Sequence, residues 1–166
     1  MKEEFTLFWN GIFSQWHACK FKVDGIEYNS AEQYMMYSKA RLMGNTKYEE
    51  LIMNTKHPRE QKKLGREIPD FDIKEWNIIA KDKVFIANYA KFTQNSNLLA
   101  ELMYTRGTTL VEASPYDKIW GIGLKEDDPR ALDRNTWQGT NWLGDVLTKV
   151  RYYIGHEQLL YTVNFN

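Results

Sequence analysis

Ser30-Ala31-Glu32-Gln33-Tyr34-Met35-Met36-Tyr37-Ser38-Lys39-Ala40-Arg41-Leu42-Met43 reads as a helix whose two ends are both marked. Ser30 followed three residues later by Gln33 has the capping-box spacing, the run between contains neither Gly nor Pro, and Gly44-Asn45 supplies the stop. Residues seven apart on a helix differ by roughly 20° in azimuth, so Glu32, Met35 or Met36, Lys39 and Met43 share one stripe. That stripe is apolar except for a carboxylate and an amine. Such groups either reach out to water or meet each other, and a ligand, in a cleft.

Outward from this helix the chain is readable by its punctuation. Phe5 to Trp9 alternates as a short strand and stops at Asn10-Gly11; Ser14-Gln15-Trp16 lies in a loop. Ala18 to Tyr28 is a hairpin turning at Asp24-Gly25, and it delivers the chain into Ser30. After Gly44 come helices over Thr46 to Asn54, from Pro58 to about Gly65-Arg66, from Glu75 to about Thr93, and from Leu98 to Tyr104. Thr108 to Ala113 is β-branched and predicts a strand, followed by the turn Ser114-Pro115-Tyr116-Asp117. Lys125 to Asn135 is charged, carries Pro129 and predicts an exposed loop. Asn141 is placed to cap a last helix from Trp142 to about Tyr153, closed by Gly155. Residues 161–165 are left as an added strand or a frayed end. The expected fold is α+β, a helix-dominated single domain with a small hairpin or sheet, spanning 1–155 with a tail at 156–166.

Composition narrows the function classes. With 22 basic and 22 acidic residues the net charge is zero, so no global field gathers nucleic acid or an anionic membrane, and any nucleic-acid contact is local. The lone Cys19 excludes an intrachain disulfide framework, and His17, His57 and His156 lack zinc-like spacing; a reduced cytoplasmic setting without a structural metal follows as the expectation. No apolar run approaches membrane-spanning length. Aromatic residues reach 14%, including six Trp and ten Tyr, which suits a pocket that stacks on a planar ligand as well as a packed core.

Familiar nucleotide and hydrolase motifs are absent. Gly121-Ile122-Gly123 begins a dinucleotide fingerprint, but the third glycine falls at Glu126 and no helix opens there. Phosphate-loop, nucleophile-elbow and HExxH patterns do not occur.

Four separated pieces form the informative constellation: Phe13-Ser14-Gln15-Trp16, the Ser30 to Ala40 helix, Leu64-Gly65-Arg66, and Val111-Glu112-Ala113-Ser114-Pro115-Tyr116-Asp117-Lys118-Ile119-Trp120-Gly121-Ile122-Gly123-Leu124. With Asn141-Trp142-Leu143-Gly144 near the end, these blocks resemble the NADAR family, which includes the bacterial YbiA-like N-glycosidases. The resemblance covers Phe5 to about Ile154. It implies hydrolysis of a ribose C1′–N bond without a cofactor, on phosphorylated ribosylaminopyrimidines of riboflavin synthesis or on ADP-ribose attached to guanine. The partner is then a phosphorylated N-riboside or an ADP-ribosylated nucleotide, with local contact to ADP-ribosylated nucleic acid.

Glu32, Lys39, Trp76 and Asp117 match the family's positions. Each also has a chemical case. Breaking C1′–N needs stabilisation of an oxocarbenium-like sugar or activation of water, and a proton for the departing nitrogen; Glu32 and Asp117 are the pair to supply them. A neutral Lys39 offers another route, capturing C1′ of the opened sugar as a Schiff base, whereas an ion pair with Glu32 would merely hold the helix. Trp76, Trp120 and Trp9 are candidates for stacking, and Trp9 is assigned first to core packing. Arg66 is the candidate phosphate contact against a solvated-surface alternative, and Ser14, Gln15 and Asn141 are candidate ribose or phosphate hydrogen-bonders. Gly121 and Gly123 read as allowing close backbone approach. The rival class is a non-catalytic ADP-ribose or nucleotide reader.

Overall fold

A computed structural model describes residues 3–164, with side chains described through residue 158. The chain forms two compact units, Gln15–Asn95 and Met1–Ser14 with Ser96–Asn166. The α+β expectation holds: among the described residues six α-helices accompany two small two-stranded sheets.

In the Gln15–Asn95 unit the hairpin strands β2 (Phe21–Val23) and β3 (Ile26–Tyr28), which follow β1 (Phe5–Phe8) of the other unit in chain order, pair antiparallel. Asp24 and Gly25 both take positive φ, 50° and 78°, which is the left-handed geometry a tight hairpin turn requires. Helix α1 (Ala31–Leu42) follows, and α2 (Thr46–Met53), α3 (Pro58–Arg66) and α4 (Ile73–Thr93) pack around it. Phe21, Tyr28, Ala31, Tyr34, Ala87 and Ala90 make one core between hairpin, α1 and α4. Gly65 brings α3 close to α1: a Cβ there would lie 2.1 Å from Met36 Sδ.

The other unit joins the chain's beginning to its second half. Strand β1 (Phe5–Phe8) pairs in parallel with β4 (Thr109–Glu112), Phe5 opposite Thr109 and Phe8 opposite Glu112. Helices α5 (Ser96–Tyr104) and α6 (Trp142–Asn164) complete it, α6 packing on β4. Gly144 permits that contact, since a Cβ on it would lie 2.1 Å from the Leu110 carbonyl oxygen.

Two expectations need correction. The charged segment 125–135 is not all exposed loop: Pro129–Leu132 and Arg134–Thr136 are 3-10 turns, capped by Asp128 and Asp133. Ala131 between those charges is buried in a cluster with Val111, Ala113, Ile122 and Leu124, an anchoring that local polarity hides. The last helix does not close at Gly155 but continues to Asn164, so residues 161–164 are helical and not a strand. One glycine weakens a helix by about 1 kcal/mol without ending it. Phe165, the end of the proposed strand, lies outside the described residues.

Candidate active site

The N-terminus of α1 is held by a buried polar network. Ser30 Oγ accepts the Gln33 N–H at 3.1 Å and donates to Gln61 Oε1 at 3.1 Å. Gln33 Oε1 accepts the Asn29 N–H at 2.8 Å, one residue before the usual capping-box partner, while its Nε2 donates to the carbonyls of Ile52 and Met53. Gln61 Nε2 donates to Asn29 Oδ1 and to the Thr55 carbonyl. These bonds fix the first turn of α1 and therefore the position of Glu32, whose own N–H donates to the Gln15 carbonyl at 3.0 Å. Gln61 escaped the sequence reading, since nothing in a charged, amphipathic stretch marks one glutamine as fully buried.

Glu32 is only 5% exposed. Seven residues on, the Lys39 amine lies 5.3 Å from the Phe71 ring centroid and 5.4 Å from that of Trp76, itself 2% exposed. Burial among these rings pushes Lys39 below the usual lysine range; Glu32 pulls it back up, and the cations Lys62 and Arg66 push it down again. The helical spacing thus joins Glu32 and Lys39 in one electrostatic site, with Trp76 as a wall.

Arg66 is exposed on α3 and acts on Lys39 from there. Lys62, one helical turn earlier, acts on it too, and its amine lies 5.8 Å from the Trp16 ring centroid. Lys62 and Phe71 were missed. The spacing of four between Lys62 and Arg66 was the available signal for the first; Phe71, in a connector, had none. Two cations beside Lys39 and one carboxylate give the site the sign that a phosphate-bearing ligand requires.

Gln15 is buried, its Oε1 accepting from Asn88 Nδ2 at 2.8 Å and its Nε2 lying 3.9 Å from Met35 Sδ. Its side chain thereby links α1 to α4 and its carbonyl supports Glu32, so it orders the site from behind.

The remaining candidates belong to the other unit. Asp117 Oδ1 accepts from the N–H groups of Ile119 at 2.9 Å and Trp120 at 2.8 Å, and the Asp117 N–H donates to Ser114 Oγ. The carboxylate therefore caps its own turn. Trp120 is half-buried, edge-on to Trp142 at 5.5 Å. Trp9, 42% exposed, stands 5.9 Å from the ring of Tyr116, so core packing does not describe it. Ser14 is half-buried and donates its N–H to the Gly11 carbonyl. Gly121 lets the Glu112 and Asp117 carbonyls approach within 2.9 Å of where its Cβ would stand, and Gly123 has a φ of 69°. Neither position has room for a side chain without strain or a close contact.

Asn141 requires a correction. It is fully buried with its Oδ1 on the Glu112 N–H and its Nδ2 on the Leu110 carbonyl and Asp145 Oδ1. Both ends of the amide hold β4 to the start of α6, which leaves no face for a ribose.

A family model described as the NADAR domain matches residues 7–155. N-glycosidase R617 of Acanthamoeba polyphaga mimivirus is 43% identical over 145 residues, covering 84% of this chain and 85% of that protein. Protein irg-1 of Caenorhabditis elegans is 43% identical over 128 residues, 76% of this chain, and the match spans 60% of its own length. N-glycosidase YbiA of Escherichia coli (strain K12) is 29% identical over 148 residues, 89% of this chain and 84% of that protein. The solution NMR structure of the E. coli protein YbiA superposes with a TM-score of 0.79 at 28% identity, covering 96% of this chain and 89% of that one.

Proposed function

The chain belongs to the NADAR domain family, and from that premise we propose that it is an N-glycosidase acting on a phosphorylated N-riboside, with Glu32 and Lys39 at the reacting carbon. The observation that carries this reading is the Lys39 amine, lying against the neighbouring Phe71 and Trp76 rings in the field of the Glu32 carboxylate. A surface ion pair needs no burial against aromatic rings. An amine that must be neutral to attack carbon does, because desolvation disfavours its charged form.

Two routes use these groups. In the first, Glu32 takes a proton from water as its oxygen bonds C1′, the C1′–N electron pair passes to the departing nitrogen, and that nitrogen takes up a proton. In the second, the sugar ring opens, neutral Lys39 bonds C1′, the nitrogen leaves with a proton, and water then releases the sugar from the imine and restores the amine. Lys62 and Arg66 hold the substrate phosphate, and Trp76 walls the ribose or base. The substrate is ADP-ribose on guanine or a ribosylaminopyrimidine phosphate, the former preferred, with nucleic acid met only at a modified nucleotide. A cytoplasmic setting suits the lone, half-buried Cys19 thiol.

Incubation with ADP-ribosylated guanosine, and separately with a ribosylaminopyrimidine phosphate, tests the reading by chromatography of the released base. Wild-type protein releases base from one of them, and Glu32→Gln, which keeps the backbone bond to Gln15, folds but does not. Binding of both compounds without release would replace the hydrolase by a reader; full turnover in Glu32→Gln would remove that carboxylate from the chemistry.

A further inference from the structure

The second unit contains a cavity of about 370 Å3 whose lining includes Arg106, Gly107, Arg151, Tyr152, Gly155 and His156. None of these residues enters the chemistry proposed above. Arg151 is 8% exposed, and Nη1 donates to the Thr105 carbonyl and hydroxyl oxygens at 2.6 Å each, while Nη2 donates to the Thr108 carbonyl. These bonds fix the guanidinium at the cavity wall. Its positive charge, however, meets a like charge: burial lowers its pKa first and Arg106 lowers it further, and no acidic residue lines the cavity among the described residues. A buried cation is costly without a counter-charge, and carbonyl dipoles offset only part of that cost.

The rest of the wall supplies an apolar, aromatic surface. Tyr152 and His156, one helical turn apart on α6, meet edge-on with ring centroids 4.4 Å apart, and Tyr152 is 66% exposed. Gly155 stands beside them inside the helix. A Cβ on it would find nothing nearer than Met103 Cε at 3.4 Å, so packing does not call for glycine, and Gly155 forms part of the cavity lining.

We propose that this cavity binds an aromatic anion of the nucleoside phosphate class, its phosphate between Arg106 and Arg151 and its base against Tyr152 and His156. The fixed guanidinium is pre-organised for phosphate oxygens, the exposed Arg106 completes the grip, and a planar base stacks on one of the two edge-on rings with its rim against the other. A volume of this size falls within the ordinary range of small-molecule sites.

Amide NMR titration of the full chain with AMP, adenosine and inorganic phosphate, separately, reads the site directly. AMP is expected to shift the Gly107 and Gly155 amides and to bind about tenfold or more tightly than adenosine or phosphate alone. Gly155→Leu, which fills the cavity, should erase those shifts with no loss of thermal stability, and Arg106→Gln should weaken AMP by about tenfold. Arg151 is left intact because it braces Thr105 and Thr108. AMP shifts that bypass Gly107 and Gly155, equal affinity for AMP and either control, or undiminished binding in Gly155→Leu would each overturn the assignment.

Discussion

The Lys39 amine lies 5.4 Å from the ring centroid of Trp76, a side chain 2% exposed, so this cation spends its charge against an apolar wall. The ordinary preference of ammonium for water is thereby set against cation–π attraction and the Glu32 carboxylate. Burial is the largest influence, and it moves Lys39 toward the neutral form that imine chemistry requires.

Borohydride reduction during turnover should therefore leave a sugar adduct on Lys39, located by peptide mass spectrometry and absent from Lys39→Ala. Turnover with no adduct leaves direct attack by water. The activity of an amine nucleophile also rises with pH until that amine is neutral, and the inflection should stand below the ordinary lysine value. Trp76→Phe, which shortens the apolar wall, should move that inflection upward; an inflection indifferent to Trp76 would detach the ring from the amine.

Asp117 needs a variant that separates capping from charge. Asp117→Asn keeps an oxygen for the Ile119 and Trp120 N–H groups, whereas Asp117→Ala removes it and should cost about 1 kcal/mol of stability, as lost caps do. If the carboxylate takes part in turnover, Asp117→Asn melts like wild type and loses activity. Equal activity in Asp117→Asn would confine the residue to its turn.

Two glycines of α6 should respond in opposite ways to alanine. At Gly144 the new Cβ would lie 2.1 Å from the Leu110 carbonyl oxygen, and the forced shift of helix against strand should cost about 1–3 kcal/mol in denaturant unfolding. At Gly155 the nearest atom would be 3.4 Å away, and the gain in helix propensity should stabilise by up to about 1 kcal/mol. A neutral Gly144→Ala would mean that β4 and α6 give way more easily than their hydrogen-bonded contact suggests.

Lys91 gives the folded protein a pH dependence of definite sign. It is fully buried, and desolvation pushes it down to about 8, with Cys19 opposing. Between that value and the lysine pKa of the unfolded chain, about 10.4, the unfolded state holds a proton that the folded state has released. Stability contributed by this group therefore rises with pH through that window. Urea unfolding at intervals between pH 7 and 10 should show a steeper upward slope for wild type than for Lys91→Met; identical slopes would place the ammonium in a solvated setting.

Most of the helix and turn boundaries were legible because they depend on neighbours in the chain. Ser30 with Gln33, Pro58 at a first helical turn and Asp24-Gly25 in a hairpin satisfy backbone groups a few residues away. The shared stripe of Glu32 and Lys39 was legible for the same reason, since helical geometry alone puts residues seven apart on one face. Phe71, from a connector, and Lys62 and Gln61, from α3, reach the site region through tertiary packing, which local pattern does not specify, and Asn141 was misread because a buried amide and a ligand-binding amide look alike in sequence.

By itself, then, the sequence determined the order and kind of most elements up to Trp142, the helix that carries Glu32 and Lys39, and the family. Only the tertiary structure decided that β1 pairs in parallel with β4, that Lys39 rests against Phe71 and Trp76, and that Lys91 is shut away from water. The physical reason is range. Caps and turns are set by hydrogen bonds between near neighbours, whereas desolvation and strand partnership depend on residues that only the folded chain brings together.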